Sequence, residues 1–300
     1  MRKRAVPGLL IGSLLTASAS AATPVFYAHV EAVQPPAWVL RASGRTALAA
    51  GAPLYAGDRY LTGAQARLHL ALDDGSIVKL GEGAEFGLPT LELRPETPEQ
   101  KPLLKGALQL VKGAFRFTTR ALGKLRRREI EVAIGPTITA GIRGTDIWGK
   151  SDPTQELLCL IEGKLRIRSP GHAAATMDQA QSYYVVPHGQ APLPVAAAPP
   201  DQLASWMPQT ELVADQPALH AGGRWSLVLA QYLEAPRARA RAAQLDALGY
   251  PVVLVPRPSR DSVLHALVME GFRRREDAQA FGVRLQAVAG FIKQPQVLPP

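Results

Sequence analysis

The stretch ARLHLALDDGSIVKL, residues 66–80, indicates how the first half of the chain folds. Leu68, Leu70 and Leu72 alternate with other residues, and this period of two is typical of a β-strand with one buried face. The Asp-Asp-Gly-Ser segment at 73–76 favours a tight turn, after which the apolar run resumes. The stretch therefore predicts a strand, a turn and a second strand.

Similar short apolar runs follow along the chain and are separated by glycines or prolines. They occur in ALQLVKGAFRFTT (107–119), REIEVAIGP (128–136) and ELLCLIEGKLRIRS (156–169). No helix of any length is predicted between Val25 and Val186. The spacing predicts an all-β domain over residues 23–186, and both a sandwich and a solenoid-like arrangement fit it.

A glycine-rich stretch, ITAGIRGTDIWG at 138–149, could form a phosphate loop, a catalytic loop or a structural corner. A phosphate loop needs a following helix whose amides face the anion, and the sequence predicts a strand there instead. Thr145 and Asp146 have no His or Cys nearby to act with them, which argues against catalysis.

The same stretch is predicted to be a corner that closes the β domain. Its glycines permit a sharp bend, its Arg and Asp can pair or bond exposed amides, and its Trp adds to the core. The candidate corner residues are Gly141, Arg143, Gly144, Asp146 and Trp148.

The pattern changes after a proline-rich, weakly charged passage, 187–223, which is predicted to be an extended linker. Residues 224–300 then read as strand, helix and strand, and this order repeats once. The strands are RWSLVLAQYL, PVVLVP, SVLHALVMEGF and FIKQPQV, and the helices are APRARARAAQLDALGY and RRREDAQAFGVRLQAVAG. Two βαβ units predict a small α+β domain, a four-stranded sheet with two helices on one face.

The N-terminus reads MRKRAVPGLLIGSLLTASASAATP, with basic residues, an apolar run and then small residues. This order predicts a secretory signal peptide over residues 1–22, cleaved near Ala21 or Ala22. The apolar run is too short to span a bilayer, and no later segment is predicted to be transmembrane. We therefore expect a soluble periplasmic protein. The net charge of +9 is moderate, and export makes nucleic acid an improbable partner.

No residue pattern points to an enzyme, a metal or a cofactor. Cys159 is the single cysteine, so no internal disulfide forms, and its leucine neighbours predict a buried apolar role. The six histidines show no metal-ligand spacing. Asp73 and Asp74 could suggest calcium, but the further ligands of a calcium loop are missing and a turn explains them. We predict no catalytic residues, no metal and no cofactor.

Four stretches of the β region resemble, in order and spacing, the FecR domain of bacterial envelope proteins. They are Gly57 to Leu88, Leu103 to Phe117, Gly135 to Gly149 and Leu160 to Ser169, and they pair a G-D-x-x-x-T-G opening with a G-x-R-G-T-D corner. The resemblance implies an all-β periplasmic domain. The best-known members place a cytoplasmic anti-sigma segment and one transmembrane helix before this domain, whereas this chain is predicted to start with a cleaved signal.

Residues 224–297 resemble the SPOR (sporulation-related repeat) domain, which binds peptidoglycan glycan strands that lack stem peptides. This family carries Gln where Val228 stands, Arg where Ala266 stands, and a Gly-Ser-Phe ending at residues 230–232. Strand alternation places Val228, Ala230, Ala266 and Val268 on the helix-free face. The candidate glycan-contact residues are Val228, Ala230, Tyr232, Ala266, Val268 and Arg273.

Two functions remain open at this point. In the first, the protein holds peptidoglycan glycan through the C-terminal sheet and presents its β domain to an unknown envelope protein. In the second, the apolar character of that sheet mediates association with another protein, such as a second copy of the chain. A nucleic-acid-binding sheet of similar topology would carry stacking aromatics on its central strands, and none stands out there.

Overall fold

The computed structural model describes residues 28–94, 103–119, 127–142, 144–259, 262–289 and 296–299. Arg143 and the predicted signal peptide, residues 1–22, lie outside the described residues. Most of the described chain is β-strand, and the three α-helices all follow residue 199.

The elements of the first part of the chain are β1 (Ala28–Gln34), β2 (Ala37–Arg41), β3 (Gly44–Ala47), β4 (Arg59–Thr62), β5 (Arg67–Leu72), β6 (Ile77–Leu80), β7 (Glu85–Arg94), β8 (Leu103–Thr118), β9 (Arg127–Ile134), β10 (Ile138–Ile142), β11 (Asp146–Ser151), β12 (Gln155–Glu162), β13 (Leu165–Arg168), β14 (Ala175–Met177) and β15 (Ser182–Pro187). They are followed by β16 (Ala196–Ala197), α1 (Pro200–Trp206), β17 (Leu219–His220), β18 (Trp225–Tyr232), α2 (Ala235–Ala247), β19 (Val253–Ser259), β20 (Ser262–Phe272), α3 (Arg275–Ala289) and β21 (Gln296–Leu298).

The strands β1 to β16 form two sheets. Sheet A has the order β1, β5, β6, β8, β11, β12, β15, β16, and sheet B has the order β3, β2, β4, β7, β8, β9, β10, β13, β14. The long strand β8 belongs to both, since its first part pairs with β7 and β9 and its last part with β6 and β11. All pairs are antiparallel except β8 with β9. The chain therefore passes from sheet B to sheet A within β8.

The two sheets enclose one core, which makes the domain a sandwich and excludes the solenoid alternative. Leu68 and Leu70 of sheet A and Val132 of sheet B are all fully buried in the same cluster. The rings of Phe86 and Phe115, one from each sheet, lie 6.2 Å apart between their centroids. The predicted strand, turn and strand are observed as β5 and β6.

The C-terminal sheet has the order β19, β20, β18, β21, with every neighbouring pair antiparallel. Both α2 and α3 pack on one face of it, through Leu245 and Leu285, against a layer of sheet residues that includes Leu227 and Leu267. The predicted α+β domain, a four-stranded sheet with two helices on one face, is confirmed.

Strand β17 joins the two domains into one continuous sheet. It pairs with β1 through Leu219 and His220, and Leu219 also pairs with Phe272 at the end of β20. The end of α2 meets the hairpin formed by β2 and β3, where Trp38 Nε1 donates to the carbonyl of Ala247 at 3.2 Å. The backbone amide of Ala47 donates to the Asp246 carboxylate at 2.9 Å. The domains are therefore connected by main-chain pairing and by side-chain contacts.

The passage 187–223 packs along the sandwich instead of running as an extended linker. Within it, Trp206 at the end of α1 stacks on Trp148, with centroids 5.2 Å apart and planes 6° from parallel. Glu211 forms ion pairs with Lys79 and Arg116 of sheet A. The passage folds back because it covers apolar side chains on the outer face of sheet A, which an extended chain would leave in water. The boundaries drawn at 187 and 223 stay predictions.

Candidate functional site

The predicted corner lies between β10 and β11. Gly144 has a φ of +136°, a conformation that L side chains rarely adopt, so this residue requires the freedom of glycine. Gly141 lies within β10, where it pairs with Glu131 and Arg166 and has ordinary strand geometry. Gly144 therefore forms the bend, whereas the sequence analysis assigned the bend to both Gly141 and Gly144.

Asp146 has its partner on a strand that is distant in sequence. Arg116 donates to both of its carboxylate oxygens, from Nε at 2.9 Å and from Nη2 at 2.7 Å. This pairing raises the pKa of the Arg116 guanidinium. Trp148 is fully buried beneath Trp206 and adds to the apolar cluster on the outer face of sheet A. Both residues thus make contacts within the sandwich.

The G-D-x-x-x-T-G stretch is also used internally. The buried Asp58 carboxylate accepts two hydrogen bonds of 2.7 Å from Arg41 and one of 2.9 Å from the hydroxyl of Tyr60. Burial, together with this carboxylate, raises the pKa of Tyr60. The Thr62 hydroxyl donates to the carbonyl of Gly81 at 2.6 Å. The polar groups of this motif hold neighbouring strands together.

The C-terminal sheet presents a different kind of surface on the side without helices. Val228 pairs with Val268, but the register shifts at Leu229, so that Gln231 pairs with Ala266. Directly paired residues of neighbouring strands point to the same face. Gln231 therefore lies on the helix-free face with Val228, Ala266 and Val268.

The same bulge corrects two of the predicted contacts. Strict alternation predicted Ala230 on the helix-free face, but Ala230 pairs with Leu267 and packs against the main core on the helix side. Tyr232 also packs there. Sequence reasoning missed Gln231. The available signal was that residues 230–232 differ from the Gly-Ser-Phe ending of the family. An unpaired residue in a strand inverts the faces of the residues that follow it.

The helix-free face has an apolar centre and a polar rim. Val228, Ala266 and Val268 form a small buried cluster against which Val255 and Leu298 pack. No helix among the described residues lies on this face. The rim consists of Ser226, Gln231, Glu270 and Gln296. The face is thus a shallow apolar strip edged by amide, hydroxyl and carboxylate groups.

Arg273 lies away from the centre of this face. It follows the last residue of β20, and its Nη2 lies 3.6 Å from a carboxylate oxygen of Glu31 on β1. The side chain thus bridges the two domains at the junction. Its neighbour Arg274 pairs with Asp277 of α3 at 2.8 Å. The structure places Arg273 with the sandwich contacts, apart from the other predicted glycan contacts.

A second concave surface lies on sheet B. This cavity of about 790 Å³ crosses β8, β9, β10 and β13. Lys105 and Arg166 line it together with Glu129 and Glu131, and Gly141 contributes no side chain. Lys164 lines it as well, so three basic and two acidic side chains share the cavity.

The single cysteine has the predicted buried position. Cys159 lies on β12 beneath the outer cluster of sheet A, and burial raises the pKa of its thiol to about 12. The thiol therefore stays protonated at neutral pH and packs as an apolar side chain. The described residues bring no group of three or more His, Cys, Asp or Glu together that could hold a metal.

These features define a β-sandwich followed by a four-stranded α+β module whose helices pack on one face of its sheet. Family models match both parts: "FecR protein" matches residues 58–166 and "SPOR domain" matches residues 221–294. The chain thus carries a FecR domain followed by a SPOR domain, and the resemblance found in its motifs is confirmed.

Solved structures are similar at a low level. Two crystal structures of a protein of Parabacteroides distasonis ATCC 8503, provisionally described as an anti-sigma factor, are 11% and 12% identical to this chain. They cover 81% and 77% of this chain and 99% and 91% of their own, each with a TM-score of 0.37. At that score neither supports a conclusion. None of the curated proteins matches the chain. No helix of the described residues has the length and apolar character to cross a membrane.

Proposed function

We propose that this is an exported, non-catalytic protein of the bacterial cell envelope that attaches to peptidoglycan glycan through its SPOR domain. The FecR domain then faces a protein partner in the envelope. The observation that carries the proposal is the SPOR match over residues 221–294 together with the exposed polar rim of the helix-free face. The predicted signal peptide supports a periplasmic location. Both matched domains belong to non-catalytic families, which agrees with a binding role.

The chemistry of the helix-free face fits a sugar chain, with reduced affinity. Val253, 44% exposed at the edge of this face, can pack against the C–H faces of sugar rings, and the amides of Gln231 and Gln296 can bond hydroxyl or acetamido groups. Val228 and Ala266 offer no hydrogen bond where the family has Gln and Arg. Each missing bond lowers the binding free energy by about 0.5–1.5 kcal/mol, so we expect weak binding.

The test is cosedimentation of the full mature chain with sacculi. Binding is expected to sacculi stripped of stem peptides by amidase, and to be weaker to untreated ones. Val228→Glu places a charge on the apolar centre and should weaken binding at least fivefold. Val283→Glu, at a side chain 70% exposed on α3, controls for the added charge, and thermal melting of Val228→Glu controls for its fold, because Val228 is 4% exposed. Equal sedimentation of both variants, or none by the wild type, would contradict the proposal.

The second candidate is protein association through the same face. Val253, at its edge, is 44% exposed beside the apolar centre, and such a strip can also bury itself against another protein. A chain that never sediments with sacculi, elutes as a dimer and becomes monomeric with Val228→Glu would favour this function. Size-exclusion chromatography with light scattering distinguishes the two.

Export is tested separately. Mass spectrometry of the protein from its native envelope should find a mature chain that starts near residue 22 or 23. A chain that still starts at Met1 in that compartment would remove the support for a cleaved signal.

A further inference from the structure

A cavity of about 330 Å³ opens where the SPOR sheet meets the sandwich. Val268 and Glu270 of the helix-free face line one side of it, and Ala49 and Ala50, just after β3, line the other. His220 of β17 also lines it. The cavity thus continues the helix-free face at its end, and neither domain alone encloses it.

The cavity exists because two strands share one edge of β20 and leave a gap between them. The pairing of β19 stops at Val253 with Val268, and that of β17 involves Leu219 with Phe272. Among the described residues no strand pairs with that edge over the intervening residues 269–271. On the sandwich side the chain comes close, since a Cβ built on Gly271 would lie 3.6 Å from the Cβ of Ala50.

The lining has room and polarity for a small neutral group. Ala49 and Ala50 and the glycines at 222, 223 and 271 leave space near the main chain. The Nδ1 atom of His220 is buried and has no hydrogen-bond partner among the described residues. A buried polar atom of this kind costs stability unless a ligand or water bonds it.

The charges nearby select against an anion. Glu270 is exposed at the mouth, and Asp246, which bonds the amide of Ala47, also lines the cavity. No lysine or arginine is among the described lining residues. In a peptidoglycan strand without stem peptides, the muramic acid units carry a free lactyl carboxylate and the N-acetylglucosamine units are neutral. The two carboxylates therefore favour the neutral unit.

We propose that a glycan strand on the helix-free face extends past Val268 and places one neutral N-acetylglucosamine unit in this cavity, between Glu270 and the side formed by Ala49 and Ala50. This inference rests on the proposed glycan binding. It adds that the FecR domain forms part of the glycan site, so that ligand contacts both domains at once.

The test fills the cavity from the sandwich side. Ala49 is exposed, so the Ala49→Trp variant should fold. It should lower the affinity of the full chain for amidase-released glycan strands at least tenfold. Ala42→Trp, on the exposed tip of the same hairpin and outside the cavity lining, is the control and should bind as wild type.

A second readout does not depend on the bulky variants. Since Cys159 is buried, Ala49→Cys and Ala42→Cys each provide a single reactive thiol. Glycan strands should slow modification of the thiol at 49 and leave that at 42 unchanged. Suppose that the wild type binds glycan strands, that Ala49→Trp binds them equally well, and that the thiol at 49 is not protected. This result would overturn the proposed role of the cavity and leave the proposed function standing. Absence of wild-type binding would overturn both.

Discussion

Sheet A of the FecR domain has packed structure on both faces, whereas the helices of the SPOR domain pack on one face of its sheet. The inner face of sheet A packs in the sandwich core, and its outer face lies under α1 and the residues that follow it. Among the described residues of the SPOR domain, α2 and α3 lie on one face, and the other face has a buried apolar centre with an exposed polar rim. Burial stabilises a sheet, and exposed rim residues can contact a ligand. The two sheets therefore differ in what packs over them, although the central residues of both are buried.

The polar residues of the two domains also differ in whether another side chain holds them. In the sandwich, Asp58 and Asp146 are each held by an arginine, Arg41 and Arg116 respectively. On the SPOR face, Gln231 is exposed at the rim. The residues that make the FecR motif recognisable thus stabilise the fold. The exposed polar residues at the rim of the SPOR sheet lie on strand positions that carry no such motif.

Removing the largest buried side chain of sheet A should have the largest effect on stability. Trp148→Ala leaves a cavity beneath α1 and should lower the free energy of unfolding by about 3–5 kcal/mol, measured by urea denaturation. Trp206→Ala removes the half-buried partner of the stack and should cost about 1 kcal/mol. Equal losses for both variants would mean that α1, not the sheet, carries the stability of this face.

Acid should weaken the sandwich through His69. Burial lowers the pKa of this imidazole from 6.5 to about 4, while its ring bonds the carbonyl of Thr210 at 3.1 Å. Between these pH values the unfolded chain binds the proton and the folded chain does not. The free energy of unfolding should therefore fall by about 3 kcal/mol as the pH drops from 6.5 to 4.

Denaturation midpoints across that pH range measure the effect. His69→Gln should flatten the dependence, and His29→Gln, at a side chain 48% exposed, should leave it unchanged. A slope that survives His69→Gln would assign the acid sensitivity to another group.

The smallest of these effects concerns the corner glycines. Gly144→Val forces a β-branched residue to a φ of +136° and should cost about 1–3 kcal/mol. Gly141→Val has open space around the new Cβ and strand geometry, so its stability should stay near wild type. Thermal melting of both variants decides this, and equal losses would show that the bend needs both glycines.

Periodicity was sufficient to predict strands such as β5, β6, β8 and β9 and the order of the SPOR elements, whereas β1 to β4 were not identified from the sequence. The repeated apolar runs depend on local alternation, which sequence displays directly. The sandwich could not be predicted in this way, since it is the shared core and the packing of Phe86 on Phe115 that show the two sheets facing each other. The high proline content also suggested an extended linker at 187–223. Composition does not reveal that a few apolar side chains in this passage hold it on sheet A.

The candidate sites were less predictable. The extra residue at Leu229 moves Ala230 to the helix side and Gln231 to the open face, and alternation cannot reveal a bulge. Arg116, which holds Asp146, lies 30 residues away on another strand. The cavity at His220 depends on how two domains meet, and no single stretch of sequence contains that information.

Strand β17 has a mechanical consequence. Only residues 221–224 separate it from β18, and its backbone is paired with β1 and with β20. The connection between the two domains is therefore short and includes a paired strand. Under the proposed function, a force between the glycan and a partner of the FecR domain would pass through this short strand, its covalent connection to β18 and the side-chain contacts between the domains. A displacement of the SPOR domain would then move the FecR domain with it.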